Sequence, residues 1–180
     1  MCKRTASLAG AMISLCLLVA GHAEAQVFVE RGVLPQNMHG LVAKCETLVV
    51  GRVVRVSEFF PIVGPPIKAP MTQYDVLVTD VIKQGERSER AGVTVEVVVD
   101  GLGGNDTELG LEERFKSGDE LILGLVWWPS RGVYALSLGA DSAFHLKAGK
   151  VHPRGRSQFS VGLKGRTADE FVRNLRAELR

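Results

Sequence analysis

The run Asp100-Gly101-Leu102-Gly103-Gly104-Asn105-Asp106-Thr107 is the most pointed chemical candidate in the sequence. Glycine lets a loop wrap closely around an ion, and Asp and Asn oxygens suit a hard cation such as calcium. Calcium sites of this composition are assembled between stacked repeats, so a single unit supplies part of a cage. The same residues serve equally as a strand-to-strand turn, in which Gly and Asn provide positive φ. A metal-dependent hydrolase or calcium-binding protein built on the loop 100–108 would use Asp100, Asp106 and His145. A zinc site needs three or four ligands. His39, His145 and His152 are its candidates, and His145 and His152 flank a predicted hairpin. No His-x-x-x-His or Cys-x-x-Cys pair accompanies them. The expectation is surface or partly buried histidines, with no catalytic residue, metal ligand or cofactor assigned.

Other reactive groups lack partners in the local sequence. Ser157 sits in the basic run Arg154-Gly155-Arg156 without a neighbouring acid, and there is no Gly-x-Ser-x-Gly elbow. Asp119-Glu120 and Glu112-Glu113 are adjacent carboxylates, which diverge on a strand and suit solvated edges better than paired acid–base work. Cys45 lies in an apolar stretch and is expected to be buried. Trp127 and Trp128 point to opposite faces of a strand. One fills the core, and the other is expected to pack under a C-terminal helix. Were it exposed instead, it would suit a sugar, a peptide or an oligomer contact of a structural envelope protein. Lys147, Lys150, Arg154, Arg156, Lys164 and Arg166 form a basic cluster that would attract an anionic partner or simply solubilise one face.

The N-terminal segment reads as an address. Lys3 and Arg4 precede an apolar, uncharged run at 8–20, and Ala23-Glu24-Ala25 fits a small-x-small cleavage site. The run of about 13 residues is short of the roughly 20 needed to span a bilayer. Residues 1–25 are therefore expected to be a signal peptide, with Gln26 as the first mature residue. No transmembrane segment remains after cleavage, and the destination is the bacterial periplasm or the medium. Cleavage removes Cys2 and Cys16, leaving Cys45 alone and no internal disulfide. The balance of 22 basic to 20 acidic residues gives a net charge of +2, too little field for a nucleic-acid binder. An apolar fraction of 46% without Gly or Pro periodicity excludes disordered and collagen-like chains.

These groups must be positioned mainly by strands. Residues 47–57, 73–82, 93–99 and 120–128 are rich in β-branched residues or alternate with period two, and 133–138 follows after a turn. Tyr74, Val76, Val78 and Ile82 are predicted on one face, as are Val93, Val95, Val97 and Val99. A last hairpin is expected over 143–151. Gly51 and Gly124, inside strands, permit the sharp coil of a barrel. Asn37 is placed to cap a helical turn over 37–45. Thr167-Ala168-Asp169-Glu170 is a capping box, and Phe171, Leu175 and Leu179 continue it as a helical apolar stripe. Residues 160–166 are read as the link between barrel and helix. The Pro-rich loop 59–70 and the Gly-rich loop are the first suspects for binding. The expected architecture is mainly β, a five- to six-stranded OB-like antiparallel barrel over 26–166 with a C-terminal α-helix at 167–180.

The succession TLVVGRVVRV, YDVLVTDVIKQG, VTVEVVVDGLGG, FKSGDELILGL and YALSLGADSAFHL, closed by the helix, resembles a group of secreted bacterial proteins. Their OB-like barrel is similar to the N-terminal domain of tissue inhibitors of metalloproteinases. The resemblance implies the fold and a non-enzymatic binding role toward a protein or polysaccharide. It does not carry the inhibitors' own mechanism, which uses a mature N-terminal Cys where this chain is expected to begin at Gln26.

Overall fold

Alternating valines give each strand one face for a barrel interior and one for a covering layer, and the chain uses both. The computed structural model describes residues 34–59, 71–87, 89–99 and 114–180. Helix α1 (Met38–Lys44) is followed by strands β1 (Thr47–Phe59), β2 (Met71–Lys83), β3 (Thr94–Val99), β4 (Glu120–Trp128), β5 (Val133–Ala140), β6 (Ala143–Lys147) and β7 (Lys150–Pro153). Helices α2 (Gln158–Gly162) and α3 (Ala168–Ala177) end the chain. Strands β1, β2, β3, β5 and β4 pair in that order, and β4 returns to β1, closing a five-stranded OB-like barrel. Strands β6 and β7 extend the sheet from β4. The barrel is mixed rather than antiparallel, because β3 and β5 pair in parallel through Val97–Tyr134 and Val98–Ala135. Closure of an odd-numbered ring cannot alternate direction throughout, so one parallel seam is required. Among the described residues, no helix is long and apolar enough to cross a membrane.

The barrel interior is filled by Val49, Val53, Tyr74, Val76, Val78, Val95, Val97, Val99, Leu121, Leu123, Leu125 and their neighbours. On the outer side of β1, β4 and β6, Leu48, Ile122, Phe144 and Val151 meet Leu41 and Val42 of α1 and Phe171 and Leu175 of α3. Burying each such side chain contributes roughly 1.5–3 kcal/mol. Thr167 caps α3 by accepting from the Glu170 amide at 3.3 Å. Arg176 ties the helix to β2 with a two-pronged contact to Asp80 at 2.7 and 2.8 Å.

Several faces differ from the simple alternation. Ile82 leaves the face of Tyr74, Val76 and Val78 and joins the outer core. The register slips there by one residue at Thr79, between the pairs Gly51–Val78 and Val50–Asp80. A one-residue bulge reverses every later side chain. Val93 is 48% exposed, because it precedes β3 at a turn where its amide bonds to Arg90 O. Leu179 lies beyond the end of α3 and is 41% exposed.

Gly51 and Gly124 also work by close approach. A Cβ at Gly51 would stand 2.5 Å from Val76 Cγ1 and 2.9 Å from Leu77 O. A Cβ at Gly124 would collide with Cys45 Sγ and sit 3.0 Å from Ser142 Cβ. Strand β4 can therefore lie between the barrel interior and α1 only because it has no side chain at that point.

Candidate functional site

The residues 114–119 enter β4 as a tight turn. The Asp119 amide donates to Lys116 O at 3.0 Å, the Lys116 amide donates to Asp119 Oδ2 at 2.8 Å, and Gly118 takes φ +94°. This turn docks on β1: Val53 N donates to Asp119 O at 2.9 Å, Gly118 N to Val53 O at 2.8 Å, and Ser117 Oγ to Val54 O at 3.1 Å. Phe115 is thereby driven into the mouth of the barrel, edge-on to Tyr74 with ring centroids 5.4 Å apart. Burial pushes the Tyr74 phenol above its ordinary range, against a hydrogen bond with the Phe115 backbone and the nearby charges of Arg114 and Arg154.

Strand β6 completes the mouth. Phe144 and Leu146 face the outer core, so His145 points the other way, onto the Phe115 ring at 6.2 Å between centroids. His145 Nε2 lies 3.2 Å from Asp119 Oδ1. Burial holds the imidazole below its ordinary value of 6.5; Asp119 opposes this, while Lys147 and Arg154 reinforce it. After β7 the chain turns back, with Arg154 N donating to Ala143 O at 2.9 Å and the Arg154 guanidinium 5.5 Å from the Phe115 ring centre. The result is a cleft of about 150 Å³ lined by Arg114, Lys116, Asp119, His145, Lys147 and Arg154. Among the described residues, Asp119 supplies the cleft's carboxylate, which contacts His145 and its own turn.

The structure distributes the sequence candidates unevenly. His145 and His152 are directly paired across β6 and β7, as the hairpin suggested. His39 stands apart on α1, 3.4 Å from Glu178. Among the described residues, no group of three or more His, Cys, Asp or Glu is placed to hold a metal ion. The Gly/Asp loop 100–108, Glu112-Glu113 and the Pro-rich segment 60–70 lie outside the described residues. The basic cluster divides: Lys147 and Arg154 line the cleft, while Arg166 approaches Glu170 at 3.6 Å on α3. Asp119 and Glu120 do diverge, but Asp119 turns into the cleft and Glu120 pairs with Arg52 at 2.9 Å. Arg114 and Lys116 were not marked by sequence reasoning, because only the turn that seats Phe115 carries them to Lys147 and Arg154.

Two expectations need correction. Ser157 does have an acid partner: Asp141 Oδ1 accepts from Ser157 Oγ at 2.6 Å, Ser157 N at 3.1 Å and Ser160 Oγ at 2.5 Å. Ser157 then caps α2 through the Ser160 amide at 3.1 Å, so part of the supposed link is a helix with Ser160 buried. Trp128 does not pack under α3. It rests on Val98 and Val133 outside the barrel, with the Arg131 guanidinium 5.6 Å from its ring centre. Trp127 packs on the interior core, 5.0 Å from Tyr134 and beneath Arg87 at 3.7 Å. Cys45 is buried, and burial pushes its thiol up to about 11 despite Ser137 and Lys83 nearby.

No protein-family model matches this chain, and a search of curated proteins likewise found no match.

Proposed function

We propose that this chain is an exported, non-enzymatic OB-like binding module whose partner presents anionic groups to the mouth of the barrel. The observation that carries the reading is the cleft in which Arg114, Lys116, Lys147 and Arg154 gather around His145. Basic side chains gathered on one rim favour a partner of opposite charge. OB-like barrels characteristically bind across one face and its adjoining loops, with the barrel as a rigid support. The leader-like segment 1–25 supports export to the periplasm or medium, and the mature N-terminus on this reading is Gln26.

The test compares the purified chain with a Lys116→Glu, Lys147→Glu double variant as bait for periplasmic and secreted material. Retention of one species by the wild type and its loss from the variant supports the reading. Equal retention by both removes the cleft from the binding surface. Elemental analysis of the same wild-type sample adds a second check, because stoichiometric calcium or zinc favours a metal-dependent protein instead.

A further inference from the structure

We propose that the contact between His145 and Asp119 is an acid-sensitive latch, which holds the 114–119 turn and its Phe115 ring closed over the mouth of the barrel. The inference goes beyond the binding-module reading and does not depend on which partner the mouth receives.

The turn is fastened on two sides. On one side its backbone bonds to β1, where the Val53 amide donates to Asp119 O at 2.9 Å and the Gly118 amide to Val53 O at 2.8 Å. On the other, Asp119 Oδ1 meets His145 Nε2 at 3.2 Å, while Asp119 Oδ2 accepts from the Lys116 amide at 2.8 Å. Asp119 therefore ties β6 to the inside of the turn. The next residue, Glu120, already pairs with Leu146 of β6 and Arg52 of β1. The sheet thus fixes the end of the turn at β4, which leaves a pivot there for a local opening.

Phe115 is what the latch keeps in place. Its ring is edge-on to Tyr74 on one side and to His145 on the other, and the residue is 3% exposed. Phe144 and Leu146 belong to the outer core, so alternation turns position 145 toward this ring. An apolar side chain there would pack on Phe115 at any pH. Histidine packs there best while neutral, because its charged form must leave water for a position only 7% exposed. Burial outweighs the attraction of the Asp119 carboxylate, so the imidazole stays below its ordinary value of 6.5. Among the described residues, the other titratable groups around it are Arg114 and Lys116 of the turn, Lys147 on its own strand, Arg154 beyond β7 and His152 opposite on β7. Lys147 and Arg154 have partners of their own, and the latch needs neither of them unpaired.

An open turn returns the imidazole to water, where it takes up a proton at its ordinary value. The open form therefore binds the proton more readily than the closed form. Opening grows as the pH falls through 6.5 and levels off below the closed-state value. The opened mouth presents Phe115 and Tyr74 to solvent.

The experiment is hydrogen exchange of the purified chain at the Val53 and Gly118 amides, from about pH 8 to about pH 5, corrected for the intrinsic pH dependence of exchange. The reference is the Gly124 amide, which donates to Ser142 O at 2.7 Å from the middle of β4. Val53 and Gly118 should lose protection relative to Gly124 as the pH falls, by at most about tenfold per pH unit, the limit for one proton. His145→Gln should remove that loss. Asp119→Asn keeps an acceptor oxygen but removes the charge that favours the imidazolium, so it should steepen the loss. Opposite changes from the two members of one contact would not arise if both only filled space. His152→Gln, outside the cleft, should leave the loss as it is in the wild type.

Equal loss at Gly124 would make the transition a global unfolding and overturn the proposal. Protection at Val53 and Gly118 that ignores pH, an unchanged loss in His145→Gln, or its removal by His152→Gln would do the same. If His145→Gln fails to fold, the wild-type profile and Asp119→Asn still decide, and a loss that Asp119→Asn does not steepen overturns the latch.

Discussion

His145 and Cys45 show how one protein environment makes opposite demands on two titratable groups. Burial disfavours the charged form of each, lowering the imidazole and raising the thiol. For His145 the unfolded chain binds a proton more readily than the fold does. Stability is therefore greatest above the ordinary value of 6.5, falls as the pH drops through it, and levels off below the folded value. Urea midpoints measured from about pH 8 down to about pH 5 should show this decline, and His145→Gln should flatten it. An unchanged slope in that variant would assign the decline to other groups. Cys45, with its thiol at about 11 and buried against Gly124, should not react with a thiol reagent in the native chain. It should react stoichiometrically in denaturant, and rapid native labelling would contradict its placement. Burial of Cys45 was readable from its apolar neighbours. The contact between Asp119 and His145 was not, because the two residues meet only through the β4–β6 pairing.

At the scale of elements, local chemistry was the legible part. The strand from Glu120 to Trp128 and the cap at Thr167 follow from alternation and from a capping box, both of which act within a few residues. Helix α2 escaped because the acid that orders its cap, Asp141, lies on the connection between β5 and β6. The parallel seam of β3 and β5 escaped for a related reason: a strand's residues encode which faces are buried, not which strand lies alongside. The mid-strand glycines were read as permitting coil, whereas Gly124 also clears space for Cys45 and Ser142. Gly124→Ala should destabilise the fold by about 1–3 kcal/mol in chemical denaturation. Adding Cys45→Ala should recover part of that loss, a non-additivity expected only where two side chains compete for one volume. Strict additivity would place the clash elsewhere.

For the whole molecule, the fold assigns different tasks to its two apolar layers. The interior core closes the barrel, while the outer core fixes α1 and α3 away from the mouth. The cleft is therefore built on backbone held from both sides. Its members are distant in sequence, so composition alone, with a net charge of only +2, gives no sign that they gather. The most direct measurement is capture of periplasmic and secreted material by the wild type and by the Lys116→Glu, Lys147→Glu variant, side by side. The wild type should retain a species that the variant loses. Equal retention by both would contradict a binding surface at the mouth of this barrel.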